Sequence, residues 1–304
     1  MVLNTGNYEN ITFLTVKLCA EISTVKEKHN LVAMIFKKKL LFDLITETCI
    51  HSKDFPIMRD LINYAEQYEK HTYEKFQVYF RKKKIKEILN NNDHSVLLEI
   101  GCGFESIFKD IDSYKKLYII EPTQLFYNKA ISDCTESKRK NDIVVINKLL
   151  EDCEIEFDEV SFDFVLLSGL LHEIIEPQNL LQCIHRKVSD NTIIHINVPN
   201  AKSFHRLLAV EMGLIANEFQ KSDSDTKFQR HSVFDLHSLT SLVEQQGFKI
   251  IEKGSYSFKP FTHLQMEKMI RAKLITEDVL EGFYKLEKYL PEFGSEIFVN
   301  VKKI

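Results

Sequence analysis

An apolar run, Val96-Leu97-Leu98-Glu99-Ile100, leads directly into a Gly101-Cys102-Gly103 turn and then an expected helix, and a second carboxylate, Glu121, closes the next apolar run, Leu117-Tyr118-Ile119-Ile120. Glycines at 101 and 103 can take backbone conformations closed to other residues and let amides approach a ligand with no Cβ in the way. A glycine pair after a strand also serves ordinary tight turns, so on its own it decides little. The carboxylate about 20 residues later changes the balance, because at that spacing it can accept hydrogen bonds from both hydroxyls of a ribose. An adenosine-containing ligand is the leading expectation. A dinucleotide site needs a third glycine to seat its pyrophosphate, and Ser106 stands in that position, which argues against NAD.

A second set of residues suits an acceptor for group transfer. His172 falls just beyond a fourth apolar run, at the edge where open α/β sheets bind ligands, and imidazole is the side chain whose ordinary titration range lies near neutral pH. It reads as a candidate general base, with a helix-capping or structural histidine as the alternative. Asn200, His205 and Arg206 follow the fifth run. Arg206 suits a carboxylate or phosphate through paired hydrogen bonds, although histidine and arginine on a helix are often plain surface residues. Arg230 and His231 close a polar stretch between Ala216 and Ser232, longer than most connections in a compact α/β domain. Tyr73, with Tyr79, stands where it could cover the nucleotide site, whereas Phe76 and Phe80 read as core at helical spacing.

The elements needed to position these residues are legible in outline. Short apolar runs at Ser95–Ile100, Lys116–Glu121, Asp142–Ile146, Phe162–Leu167 and Thr192–Val198 alternate with amphipathic segments, the pattern of a parallel sheet covered on both faces. Further on, the pattern predicts a helix over Asp235–Gln246 ended by Gly247, a strand over Lys249–Ser257, a long helix through 262–289 and a strand over Glu296–Val301. Residues 1–90 contain no glycine after Gly6 and one proline, Pro56. Their apolar residues recur at three-to-four spacing, which predicts a helical region for capping, dimerisation or substrate recruitment. A boundary at Asn90-Asn91-Asn92-Asp93 separates it from a catalytic domain over 91–304. The basic run Arg81-Lys82-Lys83-Lys84 lies on the helix face opposite Phe80, Ile85, Ile88 and Leu89, and is expected to be solvated.

With 304 residues, 44% hydrophobic and 28% charged, the chain has enough apolar material for one large core or a domain with an appendage. A formal net charge of -4 provides no long-range field for nucleic acid or an anionic membrane, so neither is an expected partner. The six cysteines, at 19, 49, 102, 134, 153 and 183, show no zinc spacing, no metal is expected, and reduced thiols in a cytoplasm are the economical reading. No uncharged run is long enough to span a bilayer, and no secretory leader is expected.

The segment Glu99-Ile100-Gly101-Cys102-Gly103 resembles motif I of class I S-adenosylmethionine (SAM)-dependent methyltransferases, and Ile120-Glu121-Pro122 resembles the end of their second strand. Phe162-Asp163-Phe164-Val165-Leu166-Leu167-Ser168-Gly169-Leu170-Leu171-His172-Glu173 is similar to the fourth-strand segment of the subgroup that includes the ubiquinone-type O-methyltransferases (the type 11/12/23 group). Asn197-Val198-Pro199-Asn200 through Leu208 resembles a segment of methyltransferases from surface-polysaccharide and natural-product clusters. The resemblance implies a Rossmann-like, seven-stranded, mostly parallel sheet with helices on both faces. It implies SAM as cofactor, S-adenosylhomocysteine as product and a small-molecule acceptor methylated on O or N. In that family Gly101, Cys102 and Gly103 would line the methionine moiety, Glu99 would help hold its ammonium, and Glu121 would bind the ribose. Leu150 and Glu151 would lie near the adenine, and Ser168 and Gly169 would border the methyl-transfer path. Glu105 replaces the family's usual third glycine, placing a carboxylate where it could crowd that of SAM. Glu105 and the helices of residues 1–90 motivate a competing reading, a non-catalytic scaffold of the same fold. A DNA or RNA amino-methyltransferase is disfavoured, since Ser168-Gly169-Leu170-Leu171 stands where an Asp/Asn-Pro-Pro-Tyr-like segment would be.

Overall fold

The computed structural model describes residues 73–153, 157, 160–222, 225–226 and 230–304. The chain divides into two compact units, Met1–Met58 and Arg59–Ile304. The first unit, and with it most of the helical region expected before residue 90, lies outside the described residues.

The second unit is built on one seven-stranded sheet in the order β3-β2-β1-β4-β5-β7-β6. Its strands are β1 (Val96–Ile100), β2 (Lys116–Ile120), β3 (Ile143–Ile146), β4 (Phe164–Ser168), β5 (Ile193–Pro199), β6 (Phe248–Tyr256) and β7 (Glu296–Lys303). The first five are parallel, and β7 runs antiparallel between β5 and β6. Each expected strand is present to within one or two residues. Strand side chains alternate between faces, and here both faces are apolar. Leu98, Val165, Leu167, Ile194 and Ile196 pack on one side, while Leu97, Ile119, Phe164 and Leu166 pack on the other.

The helices are α1 (Glu74–Asn90), α2 (Gln124–Glu136), α3 (Pro177–Lys187), α4 (Phe204–Glu211), α5 (Leu236–Gln245), α6 (His263–Arg271) and α7 (Glu277–Lys285). Leu180, Leu181 and Ile184 of α3 join Leu239 and Val243 of α5 on the first face. Phe80, Ile85, Ile88 and Leu89 of α1, Ala130 of α2, Met266 of α6 and Tyr284 of α7 cover the second. Asp235 and Ser238 form a capping box that starts α5, and Thr262 and Gln265 form another that starts α6, each satisfying amides the first helical turn leaves unpaired.

Three expectations fail for identifiable reasons. The glycine turn after β1 does not open an α-helix: only a single 3-10 turn, Ile107–Lys109, follows, because the amide of Ile107 is held by the Glu99 carboxylate instead. The segment 262–289 is not one helix. Lys273 adopts a left-handed φ of 56°, and the amides of Lys273 and Leu274 bond back to the carbonyls of Ile270 and Met269 at 2.9 Å, a helix-ending pair of bonds. The basic run on α1 is not a solvated face. Arg81 pairs with Glu296, Lys82 with Glu105 and Asp110, Lys83 with Glu281, and Lys84 with Glu287, so four consecutive cations fasten α1 to β7, to the loop after β1 and to the α7 region.

The turn into β7 is equally constrained. The Asn200 side-chain amide donates to the carbonyls of Glu292 and Gly294 at 2.9 and 2.8 Å, and the Gly294 amide donates to Ser255 Oγ at 2.9 Å. A Cβ on Gly294 would land on the backbone of Tyr256. Gly294→Ala should therefore lower stability by about 1–3 kcal/mol, the usual range for an overpacked site, measured as a shift in the urea midpoint with unchanged slope.

Candidate active site

Strand order reverses at β1, with β2 on one side and β4 on the other, and the crevice at such a switch point is where open α/β sheets take ligands. Two glycines with left-handed backbones stand there, Gly101 (φ 73°) after β1 and Gly169 (φ 64°) after β4. Gly101 donates its amide to Ile120 at 2.8 Å and Gly169 to Asn197 at 3.0 Å, fixing the loops to neighbouring strands. Gly103 is also left-handed (φ 56°), and a Cβ built on it meets no atom within 4 Å. The loop thus presents bare backbone that a ligand can approach.

Two buried carboxylates flank this loop. Glu121 accepts from the amides of Gly103 at 3.3 Å and Thr123 at 2.9 Å. Glu99 accepts from the Ser106 hydroxyl and, at 3.1 Å, from the Ile107 amide. Burial raises the Glu99 carboxyl to about 7 despite the opposing hydrogen bonds from Ser106 and Ile107, and burial raises Glu121 as well, against the amides of Thr123 and Gly103. Two such groups beside one loop favour a ligand that brings positive charge and hydroxyls. SAM, with its ammonium, sulfonium and ribose, has both, so the residues present fit it. The Glu105 carboxylate is largely exposed and is held by Lys82 at 3.0 Å, and Ser106 acts as a hydroxyl donor to Glu99.

The remaining expected residues distribute as follows. Cys102 is buried with its thiol 3.8 Å from Glu121. Leu150 is core and Glu151 is exposed, both on a 3-10 turn after β3. Ser168 ends β4. His172 is buried, and its carbonyl accepts the amides of His231 and Ser232 at 2.9 and 3.0 Å, which docks the end of the polar stretch against it. His231 itself is exposed. Asn200 braces the turn into β7, as described. Arg206 directs its guanidinium to the carbonyls of Glu218 and Gln220, at 3.0 and 2.5 Å, and to Asp225 at 3.6 Å, while Arg230 pairs with Asp225 at 3.0 Å. His205, on α4, has an Nδ1 shielded from solvent with no hydrogen-bond partner among the described residues. Tyr73 is buried edge-on to His263, with ring centroids 5.3 Å apart.

Two groups of residues were not singled out in the sequence. Glu296 is buried and accepts from Arg81 Nε at 2.9 and 3.0 Å, from Tyr256 at 2.5 Å and from Asn197 at 2.9 Å. The Arg81 guanidinium lies 3.5 Å from the position a Cβ would take on Gly169. Lys259 is also buried and donates to His263 Nδ1 at 3.0 Å. The available signals were a lysine before Pro260 just past β6 and a histidine four residues later in the first turn of a helix. Among the described residues no cluster of His, Cys, Asp or Glu could hold a metal, and no helix is long and apolar enough to cross a membrane.

The methyltransferase-domain family model matches residues 68–253, more than half of the chain. The chain belongs to this methyltransferase family. It is a class I SAM-dependent methyltransferase, and its sheet order with an antiparallel β7 is the Rossmann-like arrangement of that class. Its cofactor is SAM. No curated protein matches the sequence. Among solved structures the methyltransferase is similar to a SAM-dependent methyltransferase from Thermotoga maritima, at 15% identity and a TM-score of 0.53 over 81% of this chain and 97% of that one. It is also similar to the cyclase SpnF, at 15% identity and a TM-score of 0.50 over 73% and 80%. At such identity the likeness is one of fold.

The raised Glu99 carboxyl has a measurable consequence. A carboxyl whose folded pKa lies above its unfolded value contributes stability that is full below about pH 4.5 and is lost as pH rises through about 7, at about 1.4 kcal/mol for each tenfold change in proton affinity. Glu99→Gln should therefore be more stable than wild type by a few kcal/mol at pH 8, with the difference shrinking toward pH 5.5. The same variant, which removes a buried anionic group beside the glycine loop, should bind the cationic SAM at least about tenfold more weakly at pH 8. Thermal unfolding and calorimetric titration at the two pH values check both.

Proposed function

We propose that the enzyme transfers the methyl group of SAM to an oxygen or nitrogen of a small-molecule acceptor, a natural-product or saccharide-type metabolite, in a biosynthetic role. The observation that supports this most is the meeting of two edges at Gly169. Gly101 stands against Leu170, next to Gly169, and the Arg81 guanidinium approaches Gly169; Glu99 and Glu121 flank the glycine loop, and His172, three residues after Gly169, holds the amides of His231 and Ser232. SAM supplies an electrophilic methyl on a positive sulfur, and the chain's own task is alignment and proton removal.

In this reading Glu121 takes the ribose hydroxyls, Glu99 the ammonium, and Gly101, Cys102 and Gly103 the methionine moiety, with Leu150 and Glu151 beside the adenine and Ser168 and Gly169 along the transfer path. His172 takes the acceptor proton. Its carbonyl anchors the 230–232 segment, so the base and the acceptor wall hold one another. Asn200, His205, Arg206, Arg230, His231 and Tyr73 form the acceptor side. The described cysteines, Cys102, Cys134, Cys153 and Cys183, are buried thiols, which supports a reducing, cytoplasmic compartment, and, of residues 1–90, the part before α1 is assigned to homodimerisation or substrate recruitment.

Calorimetric titration with SAM and S-adenosylhomocysteine tests the cofactor side: saturable binding to wild type should fall at least about tenfold in Glu121→Ala, the loss of a charged hydrogen-bond acceptor. Binding unchanged in that variant would remove Glu121 from the site. For the acceptor side, His172→Asn should reduce kcat by about 100-fold or more with little change in KM for SAM, as expected for a general base. An equal loss of stability and of SAM affinity in that variant would reduce His172 to a structural role.

A further inference from the structure

Lys259 follows β6 and is only 2% exposed. Of its ammonium protons, one meets His263 Nδ1 at 3.0 Å, and the face of Tyr73 lies 5.8 Å away. Among the described residues no carboxylate pairs with it. His263 cannot take over that role as an anion: its Nε2 faces Gln77 Oε1 at 2.5 Å and Glu74 Oε2 at 3.4 Å, so the Nε2–H donates there and Nδ1 accepts from Lys259. His205 follows Phe204, whose ring meets that of Phe258 beside the lysine, which brings it within electrostatic reach of Lys259, and among the described residues its Nδ1 is shielded from solvent with no hydrogen-bond partner.

Among the described residues no carboxylate touches this pair directly. Glu74 reaches Lys259 only through the His263 ring, which meets Lys259 at Nδ1 and faces Glu74 at Nε2, and Glu296 is paired with Arg81. Asp225 is shared by Arg206 and Arg230. Burial pushes Lys259 down to about 7, with the charges of Arg230 and Arg206 adding to that and those of Glu74 and Glu296 opposing it, and burial likewise holds His205 well below the ordinary range, helped by Lys259. A buried ammonium that has only a neutral imidazole to accept from it, and a buried imidazole nitrogen that has no partner among the described residues, are costly unless a ligand supplies what they lack. Aromatic rings adjoin both: Phe204 precedes His205, Phe258 precedes Lys259, and their centroids are 4.9 Å apart.

We propose that Lys259 and His205 form a subsite for an oxyanion of the acceptor, so that the substrate is an apolar or aromatic body carrying a carboxylate or phosphoryl group. The inference rests on the small-molecule reading above and names the class within it. It also reassigns anion recognition, which the sequence suggested for Arg206, to a lysine that the loop carbonyls do not occupy.

The test uses the full-length enzyme saturated with S-adenosylhomocysteine and labelled with 13C at lysine Cε, the Lys259 resonance being assigned by its absence in Lys259→Met. Benzoate and phenyl phosphate are the probes. An anion that binds only beside the charged lysine should raise the Lys259 midpoint by about one pH unit at ten times its Kd, by linkage. Saturable binding should weaken about tenfold or more in Lys259→Met and in His205→Gln, consistent with loss of a charge-assisted hydrogen bond, while S-adenosylhomocysteine affinity stays unchanged. A response to benzoate alone assigns a carboxylate, to phenyl phosphate alone a phosphoryl group, and either supports the subsite. If S-adenosylhomocysteine binds but neither probe moves the Lys259 resonance, or both variants bind the probes as wild type does, the oxyanion subsite is overturned and the small-molecule reading stands. Wild-type protein that does not bind S-adenosylhomocysteine would overturn both.

Discussion

The carboxylate of Glu296 is the interaction on which the site's geometry depends. A buried carboxylate left alone costs several kcal/mol, so its surroundings must provide donors, and the group ties together four elements: Arg81 on α1, Asn197 on β5, Tyr256 on β6, and β7 itself. The planar fork of arginine suits this arrangement, since it donates to both carboxylate oxygens and still keeps a face free. That face lies over Gly169, so the helix before the sheet is set against the loop after β4 by a charge carried on the final strand of the sheet. The absence of a side chain at 169 is part of the same arrangement, because the guanidinium occupies the space next to it.

The run Arg81-Lys82-Lys83-Lys84 shows how far sequence pattern reaches. Apolar spacing correctly places Phe80, Ile85, Ile88 and Leu89 on one buried face, because that face follows from helical period alone. The destination of the charges does not follow. Their partners include Glu105, Glu281, Glu287 and Glu296, most of them about two hundred residues away in the chain, and a cation that will be covered by a distant element has the same local sequence as one that faces water.

The same distinction separates the legible part of the site from the rest. Gly101, Gly103 and Glu121 could be read because a strand, a turn and a second strand place them by short-range rules, and the sheet strands could be read from apolar runs. The break at Lys273 could not, because nothing local forbids a helix through that residue; buried Ile275 and the restart at Thr276 turn the chain there. The replacement of the expected helix after β1 by a 3-10 turn arises from Glu99 capturing Ser106 and Ile107, a contact between positions seven and eight residues apart in a loop that has no period. Lys259 and His263 belong to the same class, since their meaning depends on Glu74, Gln77 and His205 arriving from other elements.

The placement of β7 between β5 and β6 has a consequence for biogenesis. During synthesis β6 emerges before β7, yet among the described residues of the finished sheet it pairs with β7 alone, so its place in the sheet is fixed after β7 is made. The strands β1 to β5, with the glycine loop and both of its carboxylates, have all emerged by then. A nascent chain therefore has the glycine loop and its carboxylates before it has the strand that ties α1 to the sheet. Until Glu296 arrives, Arg81 lacks the counter-charge it has in the finished fold, and the strand that brings it both joins β6 to the sheet and sets α1 against the loop after β4.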